Sequence, residues 1–548
     1  MNEEEKRIMK ISLIITSLLL FTTSLFAQEN TNVYWIQLTD KTNNNYELSQ
    51  PEQFLSPKAL QRRDNQNIEI DSKDLPVSDY YLDSLTNMGI HIRYTSKWLN
   101  GAAIQSTDTE LIDTIENLGF ISEKVRIREL IEYPKSAKAT KENALNYGQS
   151  ENQISMLNGH ILHNQGYTGQ NMIIAVLDSG FLDVPSLSSF QAMLNENRVI
   201  DTRDYVDGDN DVYTHHNHGR AVLSILAAKV EDSLVGSAPD ANYLLLRTED
   251  AASEQLIEEY NWIAAAEYAD SIGADIISVS LGYSVYDNDE WSYTNEDLDG
   301  RTAPISIAAT IAASKGILVL SAAGNSGDDP NPKISVPADA DSILTVGATN
   351  SDGQYAAFSS IGYSADNRVK PDIVAQGEAT WFQGGDGEFA SGNGTSFSTP
   401  IASGLAACLW QANPQMSNME ILRAIQESSS QYNNPDEYLG YGLPDFAVAN
   451  LALKNINYTA FSSEMLVSMY PNPCTEILQV EFYSVDTQQL HISIVNMQGQ
   501  IVYEKQHPIF RTSYNTLKIN NVAIFPKGMY ILKIQSQNQV HTNAFVKQ

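Results

Sequence analysis

Five short and almost wholly apolar runs, MIIAVLD, ANYLLLR, ADIISVSL, GILVLSAAG and ILTVGA, recur in the middle of the chain. Between and around them lie segments with apolar residues at helical spacing, HGRAVLSILAAK, EQLIEEYNWIAAAEYADSIG and PISIAATIAASKG. Strands apolar on both faces and alternating with helices predict a parallel sheet covered on each side, an α/β unit of three layers over residues 146–455. Functional residues in such folds collect at the carboxyl ends of the strands.

The pattern differs on either side. In residues 28–145, VYWIQL reads as a strand, DYYLDSLTNMG as a helix and IHIRYTSKWLNGAAIQS as one or two strands. DTELIDTIENLGF follows as a helix with Asp108 at its N-cap, and ISEKVRI as a last strand. The order β-α-β-β-α-β predicts a ferredoxin-like α+β unit. The polar tract PKSAKATKENALNYGQSENQ then carries no apolar periodicity and reads as a linker open to nicking. In residues 462–548, alternating segments such as ILQVEFY, LHISIVNMQGQIVYEK and GMYILKIQ, separated by Gly and Asn turns, predict a small all-β sandwich.

Composition narrows the setting. The 548 residues carry 34 basic and 67 acidic side chains, a formal net charge of −33. Such a surface repels nucleic acid and anionic membranes but leaves carboxylates for cations. Lys6, Arg7 and Lys10 precede the apolar run ISLIITSLLLFTTSLFA, the layout of a secretory signal peptide over residues 1–27 rather than of a stable membrane span. Cys408 and Cys474 are the only cysteines and suggest neither a disulfide nor a metal site, so an exported chain must rely on its core and on bound ions.

Four residues stand where chemistry is expected. Asp178 ends an apolar strand, where a carboxylate needs partners. His218 opens an apolar helix, whose dipole disfavours the imidazolium and suits a neutral base. Asn325 follows a strand end and can turn its amide N–H toward a developing charge. Ser396, in SGNGTSFSTPIASG, precedes a helix expected to hold Pro400 in its first turn, so the helix's positive end faces any oxyanion beside it. The glycines of that stretch read as clearance for a substrate strand. His215, His216 and His218 raise a metallohydrolase reading, but the HExxH spacing is missing.

The blocks AVLDSG, NHG, SVSLG, AAGN and GTSFSTP, with Asp, His and Ser in that order, resemble the signature blocks of the subtilisin-like serine proteases. The resemblance implies a subtilisin-like sandwich with a parallel sheet of about seven strands, and a secreted endopeptidase. Ser396 would be nucleophile, His218 general base, Asp178 its orienter, and Asn325 with the Ser396 N–H the oxyanion hole. Ser280, Leu281 and Gly282 would form an edge strand that pairs with substrate backbone. Ala322, Ala323 and Gly324 would wall the pocket for the residue before the cut. Arg220 and Ala221 stand where most members have Thr-His, and FST replaces the MAT of many members after the serine. The N-terminal unit resembles the inhibitory propeptide of a zymogen. The C-terminal unit, opening MYPNPCTE, resembles type IX secretion sorting domains of Bacteroidetes. Expected partners are protein or peptide substrates, the chain's own propeptide and the type IX machinery, around a monomer without an organic cofactor. Structural calcium is common in the family, and Asp204, Asp207, Asp209 and Asp211 form a candidate loop for it. The competing reading is an inactive surface adhesin that keeps the fold.

Overall fold

The computed structural model describes residues 32–106, 108–128, 147–331, 333–385, 387–454, 465–484, 488–509, 513–535 and 540–548. The expected signal peptide and most of the expected linker lie outside them. Among the described residues no helix is long and apolar enough to cross a membrane.

The N-terminal unit runs β1 (Val33–Leu38), α1 (Pro57–Asn65), α2 (Asp79–Asn87), β2 (His91–Ser96), β3 (Gly101–Gln105), α3 (Thr109–Thr114) and β4 (Ile121–Arg128). Its strands pair in the order β2-β3-β1-β4. With α1 set aside, this is the expected β-α-β-β-α-β arrangement. Asp108 caps α3 by accepting the Leu111 N–H.

In the central unit, β5 (Ile173–Asp178), β6 (Val199–Asp204), α4 (His218–Ala227), β7 (Asn242–Arg247), α5 (Ile257–Ile272), β8 (Ile276–Val279), α6 (Pro304–Ser314), β9 (Leu318–Ala322), β10 (Leu344–Thr349), β11 (Ile373–Gln376) and α7 (Thr395–Ala412) carry the fold. The seven strands pair in parallel in the order β11-β10-β9-β8-β5-β7-β6. Every residue of β5, β8, β9, β10 and β11 is buried, as apolar strands between two helical layers must be. One core packs α4 and α7 on one face, with Val176, Leu226 and Leu405. The other packs α5 and α6 on the opposite face, with Leu177, Ile263 and Ile305.

The ferredoxin-like sheet docks against α5. Glu267 accepts hydrogen bonds from the Lys97 N–H at 2.7 Å, the Trp98 N–H at 3.0 Å and the Ser96 hydroxyl. One turn on, buried Asp270 is met by Arg62, by Arg63 at 2.9 Å and by Lys97 at 2.9 Å. Burial alone would raise the Asp270 carboxyl, but these three cations hold it far below the usual range. At the C-terminus, a three-stranded and a four-stranded antiparallel sheet share a core that includes Leu478, Val480, Ile492, Leu517, Leu532 and Phe545, which is the expected sandwich.

Candidate active site

β5 delivers Asp178 fully buried at its carboxyl end. Its Oδ1 accepts the Ser179 N–H at 2.8 Å and lies 2.8 Å from His218 Nδ1. His218 is the first residue of α4. Gly219 permits the approach, because a Cβ there would stand 2.5 Å from the Gly180 carbonyl oxygen and 2.9 Å from Asp178 Cβ. Burial works against the imidazolium, yet the charge and hydrogen bond of Asp178 outweigh it and push His218 up to about 9. The helix N-terminus was expected to favour the neutral ring; a paired carboxylate at contact distance wins over a partial dipole charge.

α7 begins at Thr395, so Ser396 is its second residue and 9% exposed. Pro400 lies in the second turn rather than the first. The N–H that Pro400 lacks would have met the Ser396 carbonyl. The Ser280 hydroxyl meets that carbonyl instead, at 2.9 Å, and the Ser396 hydroxyl donates to the Ser280 carbonyl at 3.0 Å. The ring of Phe397 stacks beside His218 with centroids 6.2 Å apart and is backed by Phe382 at 4.7 Å. The FST departure therefore shapes the wall behind the imidazole. Arg220 is buried, with Nη1 3.3 Å from the Leu182 carbonyl, and Ala221 is buried in the core beside it.

Asn325 is oriented by Thr395, whose N–H and hydroxyl donate to its Oδ1 at 2.8 and 3.1 Å. That leaves the Nδ2 donors for the cleft. Gly324, at φ +109°, makes the turn that brings Asn325 there. His218, Asn325 and Ser396 line one cleft of about 280 Å³, together with Ser280, Leu281, Gly282, Ala322 and Gly324.

Two expectations need correction. Ala323 does not line the cleft: it is fully buried, with its N–H on the Val346 carbonyl and its carbonyl receiving the Ser335 N–H. Residues 280–282 do not belong to a sheet edge either. They overrun β8, a strand flanked by β9 and β5, past Val279, where its ladders with both neighbours end, and the Ser280 carbonyl there accepts the Ser396 hydroxyl. Sequence reasoning also missed Glu249 and Glu254, which border the cleft just after β7. Burial first, and for Glu249 the neighbouring Glu254, push their carboxyls up to about 8 and about 7. For Glu249 the signal was available in a TED placed directly after the strand NYLLLR.

The acidic loop does not form a calcium cage. Asp204 and Asp207 come together with His215, but Asp209 and Asp211 do not join them. Asp209 Oδ1 accepts the Asp211 N–H, while Asp211 accepts the Tyr213 N–H and the Thr214 hydroxyl. Arg247 Nη1 donates to both Asp204 Oδ2 and Asp207 Oδ2 at 2.6 Å, and Asp204 Oδ1 is taken by the N–H groups of Val206 and Asp207. Calcium demands six to eight free oxygens. This set offers engaged carboxylates and an imidazole, so it does not fit.

Comparison with known proteins agrees with this arrangement. Residues 169–442, half of the chain, match the subtilase family of peptidase S8. Residues 33–145 match the peptidase S8 propeptide domain of Bacteroidota, and residues 468–548 a secretion system C-terminal sorting domain. Subtilisin NAT of Bacillus subtilis subsp. natto is 31% identical over 330 residues, covering 58% of this chain and 76% of that protein. Subtilisin of Bacillus pumilus is 31% identical over 301 residues, 53% of this chain and 94% of that protein. Subtilisin BL of Lederbergia lenta is 28% identical over 291 residues, with the same two coverages. A strand-end aspartate paired with a helix-opening histidine, facing a serine at the head of a buried helix, thus sits within matched sequence, and the chain belongs to the subtilase family of serine-type endopeptidases, with a propeptide before the protease domain and a secretion sorting domain after it.

Proposed function

We propose that the chain is a secreted zymogen whose mature form cuts peptide bonds with Ser396 as nucleophile. The observation that carries this reading is the 2.8 Å contact between His218 Nδ1 and Asp178 Oδ1 at the cleft that Ser396 also lines. Asp178 fixes the tautomer that presents Nε2 as base. With substrate bound, the Ser396 hydroxyl turns from the Ser280 carbonyl to His218, gives up its proton and attacks the carbonyl carbon. The oxyanion is received by Asn325 Nδ2 and the Ser396 N–H at the start of α7. His218 then protonates the leaving amine, and water repeats the sequence to release the acyl group. Overrun residues 280–282 hold the substrate backbone by β-addition.

The propeptide is read as the first ligand of this cleft. Its last described residue, Arg128, reaches within 3.9 Å of Asp250, next to the cleft-lining Glu249. The sorting domain takes the protein through the type IX machinery to the outer surface or the medium, where a monomer acts on protein and peptide substrates.

Ser396→Ala tests the reading. Purified variant should lose hydrolysis of an unfolded protein substrate by about 10⁴-fold or more and should accumulate as the unprocessed chain. Undiminished hydrolysis or normal processing by the variant would sink the assignment of Ser396 as nucleophile, whereas no hydrolysis by the unmodified mature protein would make the inactive-adhesin reading the better one.

A further inference from the structure

The cleft is strongly polar for a peptide-binding groove. Among its described lining residues the apolar side chains are Leu281 and Ala322, against seven serines. Six of those serines have a visible task or lie at the mouth, but Ser335 does not. It is 7% exposed, and its hydroxyl has no hydrogen-bond partner among the described residues. A buried hydroxyl left unpaired is costly, so its place matters.

That place is between the two walls. A Cβ added to Gly282 would lie 2.2 Å from Ser335 Oγ, and one added to Gly324 would lie 3.2 Å from it. The buried Ser335 hydroxyl therefore lies between Gly282 and Gly324, at the cleft that all three residues line. Ser360 Oγ stands beside it, 2.8 Å from the same Cβ position on Gly324, and accepts the Ser326 N–H at 3.0 Å. The atoms nearest both glycines are hydroxyl, carbonyl and serine carbon atoms, with no charged group among them. A full charge driven to this point would meet no counter-charge among those nearest atoms, the carboxyls of Glu249 and Glu254 lying elsewhere along the cleft, and an aliphatic tip would leave the hydroxyl unpaired.

We infer that Ser335 selects an uncharged polar side chain, the amide of Asn or Gln or the hydroxyl of Ser or Thr, on the residue immediately before the cut. This rests on the protease reading above, which places the scissile carbonyl between Ser396 and Asn325 and so directs that residue's side chain between the two walls. A hydroxyl both donates and accepts, so it can pair with either end of an amide. A site built to hydrogen-bond its substrate rejects the isostere that cannot answer.

The test uses the mature enzyme and quenched peptides that differ only at that residue, carrying Asn, its isostere Leu, or Lys. The expected kcat/KM for Asn exceeds that for Leu on the order of ten-fold, with Lys below Asn. Ser335→Ala should bring the Asn-to-Leu ratio near one, whereas Ser335→Thr, which keeps the hydroxyl, should still favour Asn. Thermal unfolding checks that each variant is folded, and if Ser335→Ala fails to fold, the wild-type ratio and Ser335→Thr decide. Wild-type preference for Leu or Lys, or a ratio unmoved in Ser335→Ala, overturns the inference while leaving the protease standing. Absence of hydrolysis of every peptide by wild type overturns the protease reading, and this inference with it.

Discussion

Ser280 and Ser396 exchange hydrogen bonds, each hydroxyl donating to the other's carbonyl, at 2.9 and 3.0 Å. The exchange completes α7, because Pro400 cannot supply the N–H that the Ser396 carbonyl would otherwise receive. It also fastens the backbone of the proposed nucleophile to the overrun of β8 that is proposed to hold substrate. Ser280→Ala should leave that buried carbonyl unpaired and lower stability by about 1–3 kcal/mol, measured by denaturant unfolding. Loss of the restraint on Ser396 should reduce kcat/KM by about ten-fold, measured on the mature enzyme.

The pH profile follows from His218. As the proposed general base His218 must be neutral to act, and it is pushed up to about 9 because Asp178 overrides burial. The rising limb of kcat/KM should therefore lie in the alkaline range, above that of an ordinary histidine at about 6.5. Asp178→Asn should move the limb down while cutting kcat by about 10⁴-fold. The folded-state value lies above the unfolded one, so the pair contributes stability that is complete below pH about 6.5 and lost as pH rises through about 9. Unfolding of Ser396→Ala, which avoids self-digestion, measures that loss.

Propeptide release should also respond to pH. Burial raises the Glu267 carboxyl to about 7, against the pull of Lys97 and the N–H groups it accepts. Its value in the undocked domain is taken as that of an ordinary glutamate, about 4.3. A group more easily protonated in the complex favours docking at low pH, and docking weakens as pH climbs from that range through about 7. Affinity of the separate propeptide for the Ser396→Ala protease domain should fall at least about ten-fold across that window. Glu267→Gln should flatten the dependence. A pH-independent affinity in the unmodified pair would remove Glu267 from this role.

Much of this was legible because the central strands are apolar on both faces, which marks a parallel sheet, and because Asp178 interrupts one such strand at its end. What stayed hidden depends on distant partners. α1 gives no apolar signal because Arg62 and Arg63 fill its buried face, and they can be buried only because Asp270, about 200 residues away, receives them. The start of α7 was misplaced because Ser280 satisfies the carbonyl that Pro400 orphans. Gly404 was read as clearance for substrate, yet a Cβ there would strike Ser237 Oγ at 2.1 Å, so it serves internal packing. The strand order, with β6 and β7 on one side of β5 and β8 to β11 on the other, is set by crossovers that a pattern of apolar residues does not record.

Arg247 holds Asp204 and Asp207 on one side and donates through Nε to the Ser179 carbonyl at 3.2 Å on the other. Arg247→Met should strand the buried Asp204 carboxylate and cost about 3–5 kcal/mol, read by denaturant unfolding in the Ser396→Ala background. The guanidinium is a counter-ion that the chain carries with it. A diffusible ion leaves when its surroundings are depleted of it, but a tethered one has the same local concentration in every medium. The segment beside Asp178 is therefore expected to keep its order in water scavenged of divalent ions.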